Sequence, residues 1–204
     1  SGKIKIDGID VSKLPEHKRA KYLGRVFQDP MTGTAATMEI QENLAIAARR
    51  GDHRTLRWGI TAKERKEYRE LLAMLDLGLE DRMTSKVGLL SGGQRQALTL
   101  LMATLKQPKI LLLDEHTAAL DPKTAAKVLE ISDMLIAENN LTAMMVTHNM
   151  RDAIAHGNRL IMMNAGKVIF DVSGEEKKKL TVDDLIQKFS QNSGDMLSDR
   201  ALLS

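Results

Sequence analysis

The stretch Ile110-Leu111-Leu112-Leu113-Asp114-Glu115 decides the fold class of this chain. Four consecutive apolar residues predict a strand that is buried on both faces, as in a parallel sheet. Asp121 and Pro122 follow as the N-cap and first residue of a helix. The stretch therefore predicts a strand–helix unit whose strand ends in two carboxylates.

The chain after residue 121 continues to alternate. The sequence predicts a strand at 142–147, a helix at 149–156, a strand pair at 159–163 and 167–172, and a helix at 181–191. This alternation predicts an α/β fold: a parallel sheet with helices on both faces. Ligands of such sheets lie beyond the carboxyl ends of the strands.

The chain before residue 108 has another pattern. Residues 3–11 predict a small antiparallel hairpin turning at Asp7-Gly8, and 24–28 predict a strand. Residues 29–107 are largely helical, with a capping box at Thr61 and Glu64 and an apolar, hence buried, helix at 97–105.

We therefore expect residues 1–204 to form a single, incomplete domain. Its α/β core takes residues 1–28 and 108–172, the inserted α-helical subdomain takes 29–107, and 173–204 form a C-terminal extension.

Composition excludes several classes of protein. Hydrophobic residues make up 43% of the 204 residues and charged residues 28%, so the chain is not disordered throughout. The absence of cysteine excludes disulfides and thiolate metal sites. The net charge of +3 fits either a mixed-charge surface, which we favour, or attraction to nucleic acid or anionic lipid; with 3% aromatic residues we expect no nucleic-acid partner.

Asp114 and Glu115 are the first candidate site. Two adjacent carboxylates at the end of an apolar strand are costly to bury unless a cation or proton compensates them. A Mg²⁺ ion on nucleotide phosphates would do so: Asp114 could hold the metal through its waters, and Glu115 could orient or deprotonate an attacking water. The alternative is an ordinary acidic turn.

The second candidate is the string Leu90-Ser91-Gly92-Gly93-Gln94-Arg95-Gln96. Ser91 and Gln94 have the spacing of a capping box, which needs no ligand. The same helix start also exposes backbone N–H groups and the positive end of the helix dipole, which suit a phosphate. Glycines at Gly92 and Gly93 would let that phosphate approach the backbone.

Three further residues lie at predicted element ends. The amide of Gln28 could ligate Mg²⁺ or the attacking water, or simply form a turn. His148 could donate to the terminal phosphate and stabilise the transition state, or be a capping or core histidine. Asp121 is at least an N-cap.

Taken in order, these motifs resemble the ATPase domain of ABC proteins over residues 1–172. Gln28 matches the Q-loop, Leu90–Gln94 match the signature motif letter for letter, and Leu111–Asp114 match Walker B. The resemblance implies the fold of P-loop NTPases, binding of ATP with Mg²⁺, and hydrolysis of ATP.

The remaining matches complete the expected site. Glu115 corresponds to the catalytic glutamate, Asp121 to the D-loop and His148 to the switch histidine. The family's ATPase domains pair head to tail, with each ATP between one domain's P-loop and the other's signature helix.

The resemblance also implies partners and a location. We expect transmembrane permease subunits, contacted by residues after Gln28 up to about Gly59, a second ATPase subunit, an importer with a solute-binding protein, and a place at the cytoplasmic face of the membrane. Segments 24–36, 88–121 and 171–181 look similar to ATPases of tryptophan/tyrosine-type uptake systems. The alternatives are a soluble ABC-type ATPase acting on DNA or ribosomes, and a non-enzymatic module that lends its signature helix to a partner.

Two departures from the family stand out. No G-x-x-x-x-G-K-[S/T] P-loop is present, since Gly2-Lys3 and Gly166-Lys167 are followed by isoleucine and valine. In the family the P-loop precedes the region that resembles residues 1–11. We therefore expect this chain alone to bind ATP weakly, to lack ATPase activity and to be unstable. His116 stands where the family usually has proline, and we expect it to add a titratable group near the phosphates.

Overall fold

A computed structural model describes residues 2–52 and 59–193 of the chain. The polypeptide divides into two compact units, Ser1–Val146 and Thr147–Ser204. Residues 53–58 of the expected permease-contacting stretch, and the end of the expected C-terminal extension, lie outside the described residues. The single-domain boundaries stay a prediction.

The first unit contains five α-helices, one short 3-10 helix (Val87–Leu89) and five strands in its described part. In chain order the α-helices and strands are β1 (Lys5–Ile6), β2 (Ile9–Asp10), α1 (Glu16–Arg19), β3 (Leu23–Val26), α2 (Ile40–Ala48), α3 (Ala62–Ala73), α4 (Gly92–Thr104), β4 (Ile110–Asp114), α5 (Pro122–Glu138) and β5 (Ala143–Val146).

A three-stranded parallel sheet is the centre of the first unit. Its strand order is β3-β4-β5, with Val26 opposite Leu113 and Asp114 opposite Val146. Leu111 and Leu113 of β4 are buried, as the apolar run predicts. The predicted α/β fold with a parallel sheet, helices and a small antiparallel hairpin is confirmed.

Helix α4 packs directly on this sheet because Gly24 has no side chain. A Cβ at Gly24 would lie 2.7 Å from the carbonyl oxygen of Ala103, closer than packed atoms approach. Most of α4 after Gln96 is buried, as expected of a helix that is apolar all round. The core of the unit forms where α2, α3, α4 and α5 meet β4.

Strand β5 corrects one expectation. We expected helices on both faces of the sheet, yet Met144 and Val146 are 55% and 52% exposed. Among the described elements of the first unit, β5 packs extensively only against β4. An apolar strand sequence predicts the strand, but it does not guarantee that another element covers it.

The second unit is a hairpin with three helices in its described part. Its elements are α6 (Met150–Ala155), β6 (Arg159–Asn164), β7 (Lys167–Ser173), α7 (Gly174–Lys178) and α8 (Val182–Ser193). The hairpin turns at Ala165 and Gly166, both with positive φ, as a tight two-residue turn requires. Leu160, Val172 and Leu185 form its core.

Helix α7 is an element that the sequence did not predict. Its Lys177 is buried, and the ammonium group donates to the carbonyl oxygens of Ile154 and His156 at the end of α6. Burial lowers the pKa of this lysine. A lysine whose ammonium group binds the carbonyl oxygens at the end of another helix cannot be distinguished in sequence from an exposed lysine.

Candidate functional site

The carboxyl ends of the three parallel strands define one edge of the sheet. Because Val26 pairs with Leu113, and Asp114 with Val146, the strands end at nearly the same level. Gln28 follows β3 by two residues, Asp114 ends β4 and Glu115 comes next. The fold therefore brings these three predicted residues to one edge, where sheets of this class bind ligands.

Asp114 forms an ion pair that the sequence did not predict. Its Oδ2 lies 2.9 Å from a guanidinium nitrogen of Arg25 on β3, and the two side chains are 46% and 50% exposed. Asp114 is therefore not buried, and the desolvation cost we expected there is absent. The guanidinium also lies 4.5 Å from the ring centre of Phe27. The sequence feature that could have indicated this ion pair is an arginine within a short strand that has no other charged residue.

The residues at this edge fit a magnesium ion bound to phosphates. Mg²⁺ retains water and takes one or two protein carboxylates together with substrate phosphates. Asp114 offers one solvent-reachable carboxylate, and Gln28 is exposed nearby along the edge. Within the described ranges, no three His, Cys, Asp or Glu side chains group closely enough to hold a metal by themselves. A metal here would need most of its ligands from phosphate and water.

Glu115 leaves the strand through an unusual backbone conformation. Its φ is +44°, in the left-handed region that residues with a Cβ rarely occupy. Its N–H donates to the carbonyl oxygen of Val146 at 2.9 Å, and its own carbonyl accepts from the N–H of Ala118 at 3.0 Å. These bonds fix the turn, so the acid leaves β4 in a defined direction with its side chain partly exposed.

His116 differs from our expectation. We expected an imidazole near the phosphates, but the side chain is 2% exposed. Its Nε2 lies 3.0 Å from the hydroxyl oxygen of Ser132 on α5. The turn after β4 therefore leaves Glu115 partly exposed and places the next side chain in the interior, against α5.

The capping box predicted at the start of α4 is confirmed. The Ser91 hydroxyl accepts from the N–H of Gln94 at 3.3 Å, and the Ser91 N–H donates to the Gln94 side chain at 3.2 Å. Ser91 and Gly92 are exposed. The N–H groups of Gly92 and Gly93 are in the first turn, where a helix supplies no acceptor. The tip can therefore present donors to an anion while remaining capped.

Gly93 has a packing reason of its own. A Cβ there would lie 2.1 Å from Cγ2 of Thr124, and one on Gly92 would lie 3.2 Å from Leu120. Asp121 caps α5 by accepting from the N–H of Thr124 at 3.1 Å, and this bonding lowers the pKa of Asp121. The starts of α4 and α5 are thus packed together, which groups the signature residues with Asp121.

Arg95 and Gln96 belong to the site although sequence reasoning gave neither a role. The guanidinium of Arg95 donates to the carbonyl oxygens of Val87, Gly88 and Leu90, which fixes the loop leading to the helix tip. Gln96 is fully buried and donates to the carbonyl oxygen of Phe27 at 3.1 Å. This bond joins α4 to the chain just before Gln28.

His148 lies in the second unit, two residues beyond the end of β5, and its side chain is exposed. Asn149 after it caps α6 by accepting from the N–H groups of Arg151 and Asp152. The structure places His148 directly before a helix, as the sequence predicts. Its catalytic role stays a prediction.

None of the helices in the described ranges combines the length and the apolar content that crossing a lipid bilayer requires.

Comparison with known proteins identifies the family. Residues 1–118 match the family model described as ABC transporter. The tyrosine transport ATP-binding protein of Clostridioides difficile (strain R20291) is 45% identical over 189 residues, which cover 93% of this chain and 75% of that protein. The methionine import ATP-binding protein MetN 1 of Oceanobacillus iheyensis is 31% identical over 191 residues, covering 89% of this chain and 53% of the relative.

A solved structure agrees with the sequence comparison. The dimeric, post-hydrolysis ATP-binding cassette MJ0796, bound to ADP and Pi, superposes with a TM-score of 0.68 at 29% identity; the match covers 85% of this chain and 73% of that one. The family match extends over more than half of this chain, and the first relative shares almost half of the aligned residues. The chain therefore belongs to the ABC transporter family and has the ATPase fold of that family, whose domains bind and hydrolyse ATP.

Proposed function

We propose that the protein powers uptake of an amino acid, of the tyrosine type, as the ATPase subunit of an importer. Two copies would pair head to tail beneath two transmembrane permease subunits on the cytoplasmic face of the membrane, and a solute-binding protein would deliver the solute. Support comes from the relatives, one named for tyrosine transport and another for methionine import. The dimeric ATP-binding cassette supports the pairing.

The observation that carries the enzymatic part is the open edge of the sheet. Asp114 and Glu115 emerge there partly exposed, in contrast to the buried residues that precede them on β4. In this proposal Asp114 and Gln28 hold Mg²⁺, which when bound neutralises charge on the phosphates. In the structure one carboxylate oxygen of Asp114 is paired with Arg25. Binding of Mg²⁺ through that oxygen would therefore require this ion pair to open.

Glu115 acts on the attacking water. Its turn is fixed by the bond to Val146 and its side chain is partly exposed, and in this proposal the carboxylate accepts a proton or orients the nucleophile. His148 donates a hydrogen bond to the terminal phosphate and so stabilises negative charge as it develops.

The exposed tip of α4 binds the nucleotide of the second copy. Ser91, Gly92, Gly93 and Gln94 supply a hydroxyl, backbone donors and the positive helix end. Asp121 is packed beside the tip through Thr124, and in this proposal it contacts the opposite subunit.

Glu115→Gln in the full product of the gene tests the enzymatic part. We expect ATP turnover to fall by at least about 100-fold, since the amide cannot accept the proton. The melting temperature should stay near that of the wild type, because the side chain is partly exposed. Glu138→Gln, at an exposed acid at the end of α5, is the matched control and should keep full activity. Undiminished turnover in Glu115→Gln would refute the role of Glu115.

Transport needs its own experiment. A strain lacking the gene should lose uptake of labelled tyrosine, and a plasmid copy should restore it while the Glu115→Gln copy does not. Uptake of methionine and spermidine, measured in parallel, tests the solute class. Normal tyrosine uptake in the deleted strain, together with ATPase activity in the purified protein, would contradict the solute while leaving the enzyme intact.

A further inference from the structure

His116 places an imidazole in the interior immediately after the acid at the sheet edge. The side chain is 2% exposed, and Ser132, its hydrogen-bond partner on α5, is also 2% exposed. A buried imidazole is unfavourable unless its nitrogens are hydrogen-bonded. The contact with Ser132 therefore does more than fill space, because it ties the residue after Glu115 to a helix.

The direction of this hydrogen bond follows from counting protons. The hydroxyl of Ser132 has one proton, and its oxygen lies 2.7 Å from the carbonyl oxygen of Val128, which can only accept. The proton of Ser132 is therefore used on Val128. At 3.0 Å, Nε2 of His116 must then carry a proton and donate to Ser132.

Glu115 needs support of this kind because of its backbone. A residue with a Cβ at a φ of +44° relaxes unless its neighbours hold it in place. On one side its N–H is bonded to Val146 of β5. On the other side the chain continues into His116, which is bonded to Ser132 of α5. Together the two bonds fix the acid between a strand and a helix.

We propose that His116 is a positioning residue: by donating to Ser132, it holds the turn that aims the Glu115 carboxylate at the attacking water. The bond restricts the backbone after Glu115 by tying it to α5. The proposal rests on the function proposed above for Glu115.

Three variants of the full gene product test the proposal. In His116→Ala, kcat for ATP hydrolysis should fall on the order of tenfold while KM for ATP stays within about twofold, since the acid is misdirected but the nucleotide contacts remain. His116→Gln places an amide N–H within reach of the same hydroxyl and should restore kcat to within about threefold. Ser132→Ala, which removes the acceptor, should lower kcat in the same way as His116→Ala.

A matched control separates positioning from loss of stability. Thr104 is also buried in the first unit, and its hydroxyl donates to a helix carbonyl, that of Leu101, at 2.9 Å. Thr104→Val should lower the melting temperature without changing kcat at 25 °C. An equal loss of kcat in Thr104→Val would overturn the proposal, as would a His116→Gln variant no more active than His116→Ala.

Different results would contradict the proposed role of Glu115 and the proposed positioning role of His116. If Glu115→Gln keeps its turnover, the proposed function of Glu115 is wrong. If Glu115→Gln is inactive while folded Ser132→Ala and His116→Ala turn over normally, only the positioning role is wrong. Should His116→Ala not fold, the kcat values of Ser132→Ala and His116→Gln still decide the question.

Discussion

Helices α3 and α4 begin with the same hydrogen-bonded box and serve different purposes. In α3, Thr61 accepts from the N–H of Glu64 at 3.2 Å and donates its own N–H back at 2.8 Å. In α4, Ser91 and Gln94 make the equivalent bonds at 3.3 and 3.2 Å. The backbone geometry of the two starts is thus nearly identical.

Charge distinguishes the two helix starts. Glu64 brings a carboxylate to the positive end of α3, whereas the first turn of α4 contains no acid. Gln94 makes the same bonds without a charge, so the positive end of α4 is not neutralised from within the helix. The comparison teaches that an amide at the third helical position can cap a helix and still leave it able to attract an anion.

Exchanging this charge should give the largest effect. Gln94→Glu preserves the box but places a carboxylate where we propose that phosphate binds. ATP turnover of the full gene product should fall on the order of 10- to 100-fold. Thermal stability should change little, because the capping bonds remain. Glu64→Gln, the reverse exchange on α3, should leave turnover unchanged. Full activity of Gln94→Glu would show that the tip of α4 does not contact the nucleotide.

The next largest effect, on stability, should come from the close packing of Gly93 in the first turn of α4. Gly93→Ala should destabilise the protein by about 1–3 kcal/mol, because its Cβ would overlap Cγ2 of Thr124. Thr124→Ser removes that methyl group, and the double variant Gly93→Ala/Thr124→Ser should regain most of the stability. Urea unfolding of the four proteins measures this coupling; additive losses would mean that the close approach is not responsible.

The capping box of α3, which contains Glu64, should make the stability of the protein depend on pH. Bonding to the Thr61 N–H and to Arg49 lowers the pKa of Glu64 from 4.5 to about 2. Because the pKa is depressed in the folded state, the stabilisation is complete above about pH 4.5 and is lost as the pH falls towards 2. Its size should be about 1 kcal/mol, as for a helix cap with a surface ion pair.

Glu64→Gln should remove this part of the acid sensitivity. Comparing urea midpoints at pH 6 and pH 3 would measure it. If the variant and the wild type lost equal stability over this range, the carboxylate of Glu64 would not be responsible.

The same comparison explains what the sequence could predict. Both boxes, the cap at Asp121 and the turn at Asp7-Gly8 depend on residues at most three positions apart, so the local pattern is sufficient. The strand ending in Asp114 and Glu115 was predictable for the same reason.

Contacts distant in sequence were not predictable in this way. Arg25 reaches Asp114 across 89 residues, and Gln96 reaches Phe27 across 69. Neither pairing leaves a spacing signal in a single sequence. The inward turn of His116 depends on where α5 passes the sheet, and the exposure of β5 depends on what lies beside it.

Strand β5 has a practical consequence for anyone handling the purified polypeptide. It is one of the two outer strands of its sheet in the described part of the first unit, and its Met144 and Val146 are more than half exposed. A short apolar strand with an unpaired side can add a strand from another molecule. The fraction of protein lost to aggregation should therefore increase with protein concentration. Met144→Lys should reduce this loss, because a charged side chain makes strand pairing between molecules unfavourable.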